Sequence, residues 1–104
     1  MKIWDIKDKS GRIFAFEIAN FGRYRACRFI GRIPGVKVLR RQRHFQIMSD
    51  DEFCEFEVEG QKFVIEEPFG DNSRFWVGPN PLNWCPQIDQ VRSVFAAYKP
   101  FWLF

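Results

Sequence analysis

Three cysteines, Cys27, Cys54 and Cys85, and a single histidine, His44, are the side chains of this 104-residue chain best suited to nucleophilic or metal chemistry. A Cys–His nucleophile pair needs the imidazole beside the thiol, and no spacing here places His44 next to any of the three. The cysteines are odd in number, far apart and without a Cys-x-x-Cys pair, so they make neither a zinc motif nor a disulfide framework. They read as three reduced thiols of a cytoplasmic protein, with Cys27 and Cys54 on core faces. Ser10, Ser49, Ser73 and Ser93 stand outside any nucleophile-elbow context. Paired carboxylates could be drawn from Asp50 to Glu67, but acids on the wet face of a hairpin usually serve solvation. Residues 71–75 lack the spacing of a calcium loop, and Gly22, Gly31 and Gly35 form no phosphate loop. The expectation is a protein that is not an enzyme and needs no metal or cofactor. An enzyme acting on a small ligand ranks third among the readings.

Charge is the next candidate for function. Residues 23–43 hold seven arginines and Lys37 without one carboxylate, whereas residues 50–71 hold nine acids against Lys62. Arginine forks suit phosphate better than lysine does. Arg25, Arg28 and Arg32 could track a nucleic-acid backbone, with Arg40, Arg41, Arg43 and His44 extending the patch and Tyr24 and Phe45 offering stacking surfaces. The net charge of +3 and a pI near 8.9 fall short of a strongly basic footprint, and no helix-turn-helix or RNP-type signature is present. The bland alternative is that the two blocks neutralise each other through exposed ion pairs, each worth roughly 0–1 kcal/mol.

The elements that must position these groups follow from periodicity. "KIWDIK" and "RIFAFEIAN" alternate as strands around a turn at "DKSG", with Gly11 placed to close it. Asn20 stands at a helix N-cap position. At 100° per residue, Ala26, Cys27, Phe29, Ile30 and Ile33 share one arc and Arg25, Arg28 and Arg32 another, which predicts an amphipathic helix over 21–32. Pro34-Gly35 ends it. "GVKVLRRQ" reads as a strand with Val36, Val38 and Arg40 on one face. In "EFCEFEVEGQKFVIEE", a two-residue turn at Gly60-Gln61 pairs Glu59 with Lys62, Val58 with Phe63, Phe56 with Ile65 and Glu55 with Glu66. "RFWVG" is a further strand, in which Trp76 faces the core, as Trp4 does in the first. Pro86 opens a helix carrying Ile88, Val91, Val94, Phe95 and Tyr98 at helical spacing.

The order ββαβ(β)βββα predicts an α+β fold: one small domain over 1–104, a mostly antiparallel sheet with two amphipathic helices packed on one face. Thirteen Phe and four Trp give it a thick core. No stretch approaches the roughly 18 apolar residues of a membrane span, and the amino terminus lacks the apolar run of a signal peptide. The expected function is non-catalytic binding of another protein, in the manner of a small inhibitor or immunity/antitoxin-type protein. Its acidic hairpin, Asp50, Asp51, Glu52, Glu55, Glu57 and Glu66, would meet the partner, with Trp84 and Trp102 as aromatic anchors. The tail Phe101-Trp102-Leu103-Phe104 is a possible dimerisation surface. Nucleic-acid binding through Arg25, Arg28, Arg32, Arg40, Arg41 and Arg43 is the alternative.

Overall fold

A computed structural model of the chain describes residues 2–19, 23–40, 52–67 and 74–98. Strands β1 (Ile3–Lys7) and β2 (Ile13–Ala19) form the first antiparallel hairpin. Its loop closes where the Asp8 amide donates to the Arg12 carbonyl at 2.8 Å and the Gly11 amide to the Asp8 carbonyl at 3.0 Å. Gly11 takes φ +86°, open to glycine without strain.

Helix α1 (Arg23–Phe29) continues as a 3₁₀ turn at Ile30–Arg32, so the expected single helix tightens in its last turn. Ile33 precedes Pro34 and is pushed to extended backbone at ψ 123°, which stops the α-helical pattern short. Burial divides as the 100° arc predicts: Ala26, Cys27, Phe29, Ile30 and Ile33 are buried, while Arg25, Arg28 and Arg32 are exposed. The expected cap, Asn20, lies outside the described residues.

Strands β3 (Lys37–Arg40), β4 (Glu52–Val58), β5 (Gln61–Glu66) and β6 (Arg74–Pro79) follow, then helix α2 (Ile88–Ala96). The optional further strand falls in 41–51, outside the described residues. All neighbours pair antiparallel in the order β1-β2-β6-β5-β4-β3, a six-stranded sheet with two helices and a mostly-sheet α+β composition. A radius of gyration of 13.1 Å is what a folded domain of this size should have.

The β4–β5 turn differs from expectation. Glu59 at φ +50° and Gly60 at φ +79° are its two central residues, so Val58 pairs with Gln61, Glu57 with Lys62 and Phe56 with Phe63. Two consecutive positive φ values define the hairpin turn whose twist matches the strands, and glycine is favoured at the second position. The register thus shifts by two residues from the expected one. Because two is the side-chain period of a strand, Phe56, Val58, Phe63 and Ile65 still share a face. Glu55 now opposes Val64, and the glutamate opposite Glu66 is Glu52, at the start of β4.

Rows of partners cross the sheet on this face: Val38, Phe56, Phe63 and Pro79 in one, and Cys54, Ile65, Val77 and Phe16 in the next. They join residues of α1, the 3₁₀ turn and α2 in one buried cluster. Phe95 of α2 is its hinge point, with ring centroids 5.6 Å from Phe16 and 5.2 Å from Phe29. Fully burying a side chain of this kind contributes roughly 1.5–3 kcal/mol. Arg92 of α2 reaches the edge strand with a bidentate fork, its Nε 2.6 Å from Asp5 Oδ1 and its Nη2 2.9 Å from Oδ2.

Trp4 and Trp76 do not face this core. Phe75 and Val77 are buried on it, so alternation sends Trp76 to the opposite face, and Trp4 stands opposite Glu17 on that same face. The Trp76 ring lies over Gly78, where a Cβ would collide with it. Gly78→Ala should therefore cost about 1–3 kcal/mol in denaturant unfolding. The same change in a Trp76→Ala background should cost far less, and additivity of the two losses would refute the contact.

Candidate functional site

Three surfaces compete: the expected acidic hairpin, the sheet face that carries Trp4 and Trp76, and the arginine side of α1. On the hairpin, strand pairing brings the two charge blocks together. Lys37 of β3 stands opposite Glu57, which is itself opposite Lys62 of β5, and Arg40 stands opposite Glu55. The register shifts between Val38 and Arg40. Glu55, Glu57 and Glu66 are half-buried, and Glu66 stands opposite Glu52 on one side and Trp76 on the other. Of Glu52 and Arg40 only the backbone is described. Asp50, Asp51, Arg41, Arg43, His44, Trp102 and the rest of the tail at 101–104 lie outside the described residues.

The second surface centres on a row of alternating chemistry. Glu66, Trp76, Glu17 and Trp4 are successive cross-strand partners over β5, β6, β2 and β1. Arg74 ties the end of the row together: its guanidinium lies 3.8 Å from the Trp4 ring centroid, and its Nη1 donates to Glu17 Oε1 at 3.1 Å. Indole is the best aromatic face for a cation, and this contact holds the Trp4 ring and the guanidinium together. Beside the row, Phe14, Val64, Glu66, Trp76, Pro79, Asn80 and Leu82 line a cavity of about 370 Å³. A second cavity of about 320 Å³ shares Phe14 and Leu82 and adds Asp8, Arg12, Asn83 and Trp84. The proline-bounded loop at 80–84 divides them, anchored by the Asn80 amide donating to the Lys62 carbonyl at 2.9 Å. Leu82 is 65% exposed and Trp84 39%, so the loop presents apolar groups to solvent. Arg12 sits 4.4 Å over the Trp84 ring and holds it in place.

Asp8 organises the wall of that second cavity. Its Oδ1 accepts from the Ser10 amide at 2.9 Å, the Ser10 hydroxyl at 2.7 Å and the Arg12 amide at 3.0 Å. The Ser10 hydroxyl above all, then the backbone amides of Arg12 and Ser10 and the charge of Arg12, hold the Asp8 carboxyl below the usual carboxylate range against some desolvation. The group therefore stabilises the fold above its ordinary pKa, and that contribution is lost as pH falls through the lowered value. Thermal unfolding of Asp8→Ala should lie below that of the parent chain at neutral pH. The gap should narrow below about pH 4; a gap independent of pH would remove the charge from the account.

The third surface is made by the arginine stripe. Arg25, Arg28 and Arg32 with Phe29 and Tyr98 line a cavity of about 240 Å³. Arg25 Nη1 lies 3.3 Å from the Tyr98 hydroxyl oxygen, and the Arg32 guanidinium lies 4.8 Å from the Phe29 centroid. Tyr98 is the residue that sequence reasoning treated only as packing; it is partly buried against the core yet brings its hydroxyl to Arg25. Its helical spacing placed it on the inner face of α2, and nothing local pointed to α1.

Cys27, Cys54 and Cys85 are buried and unlinked. Burial pushes the Cys85 thiol up, against the opposing amides of Ile88 and Gln87. A thiol so placed is a poor nucleophile. A thiol reagent should leave all three untouched in the native protein and modify three per chain after denaturation; rapid native labelling would contradict this. Among the described residues, no three His, Cys, Asp or Glu side chains come together as metal ligands. No described helix is long and apolar enough to cross a membrane. No family model matches the chain, nor does any curated protein or solved structure.

Proposed function

We propose that the chain is a non-catalytic, protein-binding domain whose two helices close one face of the sheet and leave the other, with the loop at 80–84, to engage a partner. The paired cavities that share Phe14 and Leu82 carry this reading. They offer an apolar socket edged by Glu66 and Asn80 beside a more polar one, in which Asp8, Arg12 and Asn83 flank Leu82 and Trp84. Aromatic anchors inside a polar surround are the usual centre of a protein interface. The alternation of glutamate, tryptophan and arginine across β1, β2, β6 and β5 also suits a protein bearing both charges better than a polyanion, which Glu17 and Glu66 would repel.

An inhibitor or immunity-type role in the cytoplasm is the form of this reading that fits a small single domain. The acidic hairpin contributes to it as a mixed rim, since Glu55 and Glu57 stand opposite Arg40 and Lys37. A nucleic-acid reading has separate support in the guanidinium groups of Arg25, Arg28 and Arg32.

The test is a partner captured with the tagged protein, identified, purified and recombined as a defined complex. Leu82→Glu and Trp84→Ala should each weaken it about tenfold or more, a loss of about 1.4 kcal/mol or greater. Arg28→Gln should leave it unchanged. A complex indifferent to Leu82→Glu, Trp84→Ala and Trp76→Ala together would end this assignment.

A further inference from the structure

We infer that the cavity beside Trp76 receives an arginine side chain of the partner, an assignment that rests on the protein-binding reading. This side of the molecule builds the same arrangement twice from its own residues. The Arg74 guanidinium lies 3.8 Å from the Trp4 ring centroid and donates to Glu17 at 3.1 Å. The Arg12 guanidinium lies 4.4 Å from the Trp84 centroid, and its Nε stands 3.4 Å from Asp8 Oδ2. Each of these indoles thus carries a guanidinium on its ring, and each guanidinium has a carboxylate beside it. Trp76 is the third described tryptophan, and its cross-strand partners are Glu17 and Glu66. Among the described residues no cation lies over its ring. The neighbouring chain segments 20–22 and 68–73, outside the described residues, contain no lysine, arginine or histidine.

The cavity of about 370 Å³ has room for such a side chain and walls suited to both of its parts. Phe14, Val64, Pro79 and Leu82 are apolar and suit the methylene stem, while Trp76, Glu66 and Asn80 suit the charged head. A carboxylate has about four acceptor positions, so Glu66 can take a guanidinium fork beside any contact it already makes. The benzo end of Trp76 lies over Gly78, which fixes the ring before a ligand arrives and lowers the entropy lost on binding.

Arginine is favoured over lysine because a planar guanidinium stacks on an indole and offers its fork to a carboxylate at once. An ammonium is a compact, strongly hydrated charge. An anionic side chain would meet the like charge of Glu66 at the rim. A purely apolar one would strip water from Glu66 and Asn80 without replacing its hydrogen bonds.

NMR titration of the whole chain with Nα-acetylarginine amide tests this, read at the Trp76 indole N–H and the Gly78 amide. Both signals should shift saturably in the millimolar range. Nα-acetylcitrulline amide, a neutral near-isostere, should bind about tenfold more weakly or not at all, and Nα-acetyllysine amide about threefold more weakly. Glu66→Gln should weaken arginine binding about threefold or more, with circular dichroism and the unfolding midpoint showing that the variant folds. In Trp76→Leu the Gly78 signal should no longer respond, whereas Trp76→Phe keeps part of the response, since phenyl is a poorer face for a cation. No saturable shift, equal affinity for the citrulline or lysine derivative, or wild-type affinity in folded Glu66→Gln would overturn the inference. Any of these leaves the protein-binding reading standing while the captured complex still depends on Leu82 and Trp84. A complex indifferent to those two residues ends that reading by a separate measurement, and the arginine assignment with it.

Discussion

Side-chain alternation along six mutually registered strands is the constraint on which everything else rests. Each strand offers one set of residues to each face, and the cross-strand partners carry that choice from one edge to the other. Phe56 opposite Phe63, and Phe16 opposite Val77 opposite Ile65, keep the large apolar groups in common rows. The same pairing writes the other face as Glu66, Trp76, Glu17 and Trp4. Core and candidate site are therefore two readings of one register. A slip of a single residue in β6 would put Trp76 inside and Phe75 in water. Irregularities near Lys7, Arg40 and Glu52 confine departures from the register to strand ends.

Strand order also brings opposite charges together. The chain runs from the basic segment into the acidic one, and antiparallel pairing of β3 with β4 folds the first back on the second. Lys37, Glu57 and Lys62 become a cross-strand row in which opposite charges are direct neighbours, a favourable arrangement. Arg25, Arg28 and Arg32 lie away from that pairing, on the exposed side of α1 and the 3₁₀ turn.

Aromatic rings do more here than fill volume. Phe95 touches Phe16 of the sheet and Phe29 of α1, so the core contact is also the support of the arginine groove. On the sheet face, Arg74 and Arg12 lie over Trp4 and Trp84, which pins indoles that would otherwise sample several rotamers. Preorganised rings of this kind lose little freedom when a partner arrives.

Local periodicity in the sequence was enough to determine the first hairpin with its turn at Gly11, the buried and exposed arcs of α1, the packing positions of α2 and the apolar face of β4 and β5. These are short-range patterns, and each follows from a single element's geometry. It did not determine the turn at Glu59-Gly60, because two hairpin registers that differ by two residues bury the same side chains, and only the backbone φ at Glu59 separates them. Nor did it determine the outward placement of Trp4 and Trp76, since alternation names two faces without saying which of them meets the helices. The pairing of Glu57 with Lys37, the guanidinium of Arg74 over Trp4 and the meeting of Tyr98 with Arg25 join residues that are distant in the chain. Contacts across such separations depend on strand order and helix packing, and those were decided only when all the apolar faces were buried together.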